Sequence, residues 1–197
     1  GRALRAIALP EGGRMCAHGH CVYRERWAGA AEFKDLLTVD GPIGEVIRKI
    51  GARKGGGPEE VRLTILDGER HMAVVKEIRE AGATIRFITD GDVQGALLAV
   101  SEDTGIDLLW GIGGTPEGVL AASAIKCLGG EIIGKLWPRN EEERTAALEA
   151  GYDLDRVLTS NDLVDGDDVF FAATGVTDGD LLDGVRRGKD FATTESL

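Results

Sequence analysis

An α/β fold, a layered sheet of mostly parallel strands with helices on both faces, is predicted by three features of the sequence. From Val61 onward, short apolar runs alternate with stretches of helical periodicity. Glycine is abundant, 29 in 197 residues, about twice the usual share, and much of it falls where runs begin and end. Third, the segments after the apolar runs hold the acids, arginine and glycines, as expected where ligands sit at the carboxyl ends of parallel strands.

The elements follow in order. Residues 1–39 read as irregular and Gly-rich, with short β-like runs such as "RAIAL" and "CVYRERW". "PIGEVIRKI" is the first clear helix, because Ile43, Val46, Ile47 and Ile50 share one face; Pro42 suits its first turn and Gly51 its exit. "VRLTIL" is a strand and "RHMAVVKEIREAG" a helix ending at Gly82. "TIRFI" is a strand, then "DVQGALLAVSE" a helix. "IDLLW" is a strand, then "PEGVLAASAIKCLGG" a helix with a glycine exit. "EIIGKLW" is a strand, followed by "NEEERTAALEAG", a helix fronted by acids as its dipole prefers. "RVLTS" and "DVFFAATG" read as strands and "DLLDGVRR" as a helix.

Composition excludes several classes. A hydrophobic share of 43% and a charged share of 29% describe a chain with a folded core. A net charge of −11 argues against nucleic acid and anionic membrane surfaces as partners. It also repels a phosphorylated metabolite unless metal ions reverse the local sign. No apolar run approaches transmembrane length. Three Cys do not suggest a disulfide framework, so a reducing cytoplasm is expected.

The chemistry is expected in "DGERH", "TDGD", "GIGGTPEG" and "ATGVTDG". "GIGGTPEG", Gly111 to Gly118, reads as a loop opening a helix, where backbone N–H groups approach a phosphate. It lacks the Gly-Lys-Ser/Thr of a Walker loop and the spacing of a dinucleotide fingerprint. Glu117 either complements the helix dipole or aims a carboxylate at a divalent metal. Capping explains one of Asp90 and Asp92, with Asp92 the expected cap. Both acids together suggest a polar site, placed beside "GTPEG" by adjacent strand ends. Arg70 can clamp a phosphate bidentately, whereas His71 is expected to be structural. Cys16, His18, His20 and Cys21 are too crowded to wrap one tetrahedral ion, so no structural zinc is expected.

Taken in order, "TILDGERH", "FITDGDV", "GIGGTPEGVLAASAIKCLGG" and "FFAATGVTDGDLLDGVRRG…ATTESL" resemble the C-terminal part of class II fructose-1,6-bisphosphatases. These are bacterial sugar phosphatases whose cyanobacterial relatives also act on sedoheptulose 1,7-bisphosphate. The resemblance is strongest from about Asp40 to Leu197. It implies a sugar-phosphatase-like fold truncated at the N-terminus, with residues 1–39 a remnant of an N-terminal domain and 40–197 a C-terminal α/β substrate-binding domain. It implies hydrolysis of the 1-phosphate of fructose 1,6-bisphosphate with Mn²⁺ or Mg²⁺, and a homo-oligomer.

By resemblance, Glu117 is a metal ligand, and Tyr23, Arg70, Asp90, Gly91, Asp92 and Gly114 contact the substrate; no catalytic residue is assigned. The family's Lys/Arg-Pro-Arg reads Gly68-Glu69-Arg70 here, which removes a cation and a proline and sets an acid beside the expected phosphate. "YRERW" departs from the family's Tyr-Met-Glu-Lys. The family's other metal-binding acids precede everything present here, so the chain is expected to be inactive alone. The rival expectations are a phosphatase of another sugar or inositol phosphate and a non-catalytic sugar-phosphate-binding or oligomerising piece.

Overall fold

The structure, a computed structural model, describes residues 22–29, 33–39, 41–89, 91–101, 104–138 and 140–197. The elements are β1 (Val22–Gly29), α1 (Ile43–Arg53), β2 (Arg62–Leu66), α2 (Met72–Ala81), β3 (Thr84–Ile88), α3 (Asp92–Val100), β4 (Leu108–Gly114), α4 (Thr115–Cys127), β5 (Glu131–Trp137), α5 (Glu141–Glu149), β6 (Leu158–Thr159), α6 (Ser160–Leu163), β7 (Arg186–Arg187) and β8 (Ala192–Thr193). Short 3₁₀ turns at Pro58–Glu60 and Glu69–His71 precede β2 and α2.

Strands β1 to β6 form one sheet in the order β3-β2-β4-β1-β5-β6. β2 runs parallel to both β3 and β4. β1 is antiparallel to β4 and to β5, so β5 points the same way as β4. Four strands therefore share one direction, and β1 and β6 oppose it. Residues 22–29, on the far side of the expected boundary at 39/40, supply the strand between β4 and β5.

Both faces are covered. Successive side chains of a strand point to opposite faces, and the burial of β2 and β4 follows that rule. Leu63, Ile65, Leu108 and Trp110 pack with Ile43, Val46, Ile47 and Ile50 of α1 and with Val75 and Ile78 of α2. Leu109 and Ile132 pack instead with Val93 and Leu97 of α3 and with Ala121 and Ile125 of α4. The helical face read from the sequence of α1 is thus its buried face. Ile47 and Ile50 are fully buried, each contributing about 1.5–3 kcal/mol. α2 stops at Gly82, whose φ of 95° suits glycine alone at low strain. The Asn140 side chain accepts from the Glu143 N–H at 2.8 Å and starts α5. Among the described residues no helix is long and apolar enough to cross a membrane.

Several expectations are corrected. Gly51 does not end α1, which runs on to Arg53. Its lack of a side chain serves packing, because a Cβ there would lie 2.3 Å from the Gly57 carbonyl oxygen. "GIGGTPEG" is not a loop: β4 runs through Gly114 and α4 starts at Thr115. Its glycines are held in the sheet by β1, with Gly111 opposite Arg26, Gly113 opposite Tyr23 and Gly114 opposite Val22. "RVLTS" contributes only Leu158–Thr159, paired with β5.

"DVFFAATG" joins no sheet. It is extended, burying alternate residues such as Ala173, with Val169 and Phe171 against the α3/α4 core, but its backbone pairs with the end of the chain rather than with a sheet strand. Ala173 and Leu197 exchange both backbone hydrogen bonds, and Gly175 N–H donates to the Glu195 carbonyl. "DLLDGVRR" is not a helix. Asp178 accepts from the Gly184 N–H at 2.9 Å, a local bond that competes with helix. A Cβ at Gly175 would lie 2.0 Å from the Asp183 carbonyl oxygen, so the turn depends on close backbone approach. "RAIAL" and the Cys16, His18, His20, Cys21 cluster lie outside the described residues.

Two outcomes follow from these contacts. Gly51→Ala is expected to destabilise the chain by about 1–3 kcal/mol through overpacking against the Gly57 backbone, read as a lower urea midpoint. Asp162 forms a capping box with Thr159, accepting from its N–H at 2.9 Å and its hydroxyl at 2.8 Å, and it pairs with Arg156. The Thr159 N–H, then the Thr159 hydroxyl and Arg156, hold the Asp162 carboxyl below the usual range despite some burial. A lowered folded pKa gives stability that is present above the unfolded value of about 3.9 and lost as pH falls through the folded one. Asp162→Asn is expected to cost about 0.5–1 kcal/mol near neutrality and to flatten the melting temperature against pH below about 4.

Candidate active site

The carboxyl ends of β2, β3, β4 and β5 lie along one edge of the sheet, and antiparallel β1 brings its amino end there. Tyr23 stands in register between Gly113 of β4 and Leu136 of β5, next to the start of α4. Arg70 sits in the 3₁₀ turn after β2, Gly91 and Asp92 at the start of α3, and Gly114 and Glu117 at the start of α4. One edge therefore carries every expected site residue that the structure describes. Asp90 lies outside the described residues.

The expected adjacency of the two acidic strand ends does not hold, because β2 lies between β3 and β4. α3 restores the proximity by packing across the sheet. A Cβ at Gly95 would lie 2.8 Å from Ile88 Cδ1 on β3, 2.9 Å from Leu109 Cδ1 on β4 and 3.5 Å from Thr64 Cγ2 on β2. Glycine at 95 thus lets the helix lie close over all three strands. Asp92 Oδ1, shielded from solvent, comes within 3.9 Å of where a Gly111 Cβ would stand. Asp92 is not the cap. Gly91, with φ 90° and no side chain, occupies the N-cap position, and Asp92 is the first helical residue.

The β2–β4 ladder pairs Leu63 with Leu108 and Thr64 with Leu109. Continued two residues further, it would set Leu66 opposite Gly111 and the Leu66 carbonyl against the Ile112 N–H, as parallel pairing requires. Instead the His71 imidazole stands between those groups. Its Nδ1 donates to the Leu66 oxygen at 2.6 Å, and its Nε2 accepts from the Ile112 N–H at 3.3 Å. The neutral ring with its proton on Nδ1 fits both bonds. The ring is 1% exposed and packs edge-on against Trp110, with centroids 5.7 Å apart. His71 is structural, as the sequence leads one to expect. Its role as a bridge is invisible there, because both partners are backbone groups of other strands.

Arg70 Nε donates to the same His71 Nε2 at 3.3 Å, while Arg70 itself is exposed. Glu117 is exposed in the first turn of α4 and folds back over Gly114, where a Cβ would lie 2.2 Å from its Oε2. The start of α4 is thus a cradle that a side chain at 114 would fill. A carboxylate is a hard oxygen donor, the chemistry Mn²⁺ and Mg²⁺ take, so Glu117 fits as one ligand of such an ion. Among the described residues no three His, Cys, Asp or Glu side chains gather to complete a metal site. Two helix starts and a guanidinium on one edge favour an anion despite the net charge of −11.

The layered sheet with polar strand ends is a sugar-phosphatase-like architecture. The chain belongs to the family described as bacterial fructose-1,6-bisphosphatase, glpX-encoded, whose profile matches residues 1–197. The fructose-1,6-bisphosphatase class 2 of Haemophilus influenzae is 38% identical over 191 residues, covering 89% of this chain and 57% of that protein. A Synechococcus protein (strain JA-2-3B'a(2-13)) named D-fructose 1,6-bisphosphatase class 2/sedoheptulose 1,7-bisphosphatase is 36% identical over 208 aligned positions, covering 99% of this chain and 60% of that protein. The chain thus spans somewhat under two thirds of the length of these relatives.

Proposed function

We propose that the chain carries the sugar-bisphosphate-holding part of a fructose-1,6-bisphosphatase site, acting in the cytoplasm. The observation that supports it best is the gathering of Arg70, Gly91, Asp92, Gly114, Glu117 and the start of β1 on one sheet edge, in a member of this family. Arg70 is suited to clamp a phosphate through its two terminal amino groups, since its Nε is taken by His71. Gly91 and Gly114 hold the backbone close to the ligand, and the N-termini of α3 and α4 favour its charge. Asp92 accepts hydrogen bonds from sugar hydroxyls, and Tyr23 and Asp90 complete the substrate contacts. Glu117 is the ligand this chain offers to Mn²⁺ or Mg²⁺, which when bound supplies activation of water and neutralisation of phosphoryl charge.

The test is steady-state phosphate release from fructose 1,6-bisphosphate, with sedoheptulose 1,7-bisphosphate as a second substrate, across Mn²⁺ and Mg²⁺ titrations, by a protein of the relatives' full length that includes this sequence, beside the 197-residue chain alone, from which no appreciable release is expected. Metal-dependent release is expected from the longer protein; its absence there at every metal concentration, with the bisphosphate still bound, favours a binding piece and overturns catalysis. Glu117→Gln is expected to lower kcat by about a hundredfold or more and to raise the metal concentration giving half activity. Its stability cost at a helix start is only about 0.3–1 kcal/mol. Asp92→Asn is expected to raise KM with a smaller change in kcat, as for a group holding substrate equally in ground and transition states. Normal turnover with a collapsed melting temperature in Glu117→Gln would reduce Glu117 to a partner of the helix dipole.

A further inference from the structure

We infer that His71 is the positioning residue for Arg70, fixing the guanidinium so that only its terminal amino groups face the ligand. The geometry needs no ligand, while the importance of the placement for substrate rests on the proposed function. An exposed arginine ordinarily samples many rotamers, and ordering such a side chain costs conformational entropy when a ligand binds. Here Arg70 leaves a 3₁₀ turn at the mouth of the opening between β2 and β4, and its Nε–H meets the buried Nε2 of the next residue at 3.3 Å. That acceptor cannot drift. Its ring is pinned by Leu66 O at 2.6 Å, by Ile112 N at 3.3 Å and by the edge of Trp110. Arg70 Nη1 and Nη2 make no hydrogen bond among the described residues, which leaves the pair that binds two phosphate oxygens.

The local sequence adds a reason. Glu69 precedes Arg70 in the same turn, and an unpinned guanidinium has this carboxylate within its reach in the chain. Holding Nε at His71 fixes the guanidinium beside the separation of β2 and β4 instead. His71 thus does two separable things. Nδ1–H ties to β2, a structural bond, and Nε2 receives both β4 and Arg70.

Asparagine and glutamine separate the two roles. The amide of asparagine reaches about where Nδ1 stands, and that of glutamine about where Nε2 stands. The first readout is the Arg70 Nε–H signal in the ligand-free full chain, assigned by its loss in Arg70→Lys, with its heteronuclear NOE. Wild type and His71→Gln are expected to show a rigid Nε–H and His71→Asn a mobile one. A mobile Nε–H in wild type, or equal rigidity in all three, overturns the proposal; the wild-type measurement decides even if His71→Asn does not fold. The second readout is fructose 1,6-bisphosphate affinity by calorimetry. His71→Asn is expected to weaken it about threefold to tenfold, the worth of one hydrogen bond, and His71→Gln to leave it unchanged. In an Arg70→Lys background, His71→Asn is expected to weaken it no further. Independent, multiplying losses would show a general structural effect and overturn the positioning role. If wild type holds Arg70 rigid yet binds no bisphosphate, the proposed function falls and the positioning stands.

Discussion

The opening of the sheet between β2 and β4 depends on one imidazole. Backbone groups buried in a sheet need partners, and a parallel ladder that simply stopped would leave the Leu66 carbonyl and the Ile112 N–H without each other. His71 supplies a donor to one and an acceptor to the other across the width of its ring. The strands separate at their carboxyl ends with those two groups satisfied. Arg70 stands beside that separation, and the same ring packs on Trp110, which belongs to the core beneath α1 and α2. The α1/α2 core, the split between two strands and the direction of a cation are coupled through one side chain.

β4 is the other member of that arrangement. It lies between parallel β2 and antiparallel β1 and passes into α4 without a loop. The glycines of β4 serve two purposes. Gly111 and Gly113 stand opposite β1, and Gly114 leaves room for the carboxylate of Glu117. Because strand and helix are continuous, the first turn of α4 is held by the sheet rather than by a flexible connection. A carboxylate built on such an element is placed more tightly than one on a loop.

The irregular C-terminal segment belongs to the same assembly. Leu181 and Leu182 turn inward, and Val169 and Phe171 lie against the core beneath α3 and α4. Asp180 pairs with Arg86 of β3 at 2.5 Å, and a Cβ at Gly179 would stand 3.4 Å from the Gln94 side chain near the start of α3. The segment thus braces α3 from outside while Gly95 lets the helix sit close to the sheet from inside. Asp92 is positioned by both contacts.

Much of the fold was legible in the sequence because periodicity reports burial directly. Ile43, Val46, Ile47 and Ile50 marked the buried face of α1, Gly82 marked an exit, and the alternation of strands and helices marked a sheet covered on both faces. The segments bearing Arg70, Gly91, Asp92, Gly114 and Glu117 were legible too, since strand ends are where such residues gather. Periodicity carries no information about which strand lies beside which. β2 between β3 and β4, β1 inserted antiparallel in the middle, the glycines of 111–114 drawn into a strand, and the failure of 168–175 to find a sheet were decided by long-range pairing. His71 belongs to that second group: its residue type and place could be read, but its function depends on two backbone groups, 5 and 41 residues away, that only the folded chain brings to either side of one ring.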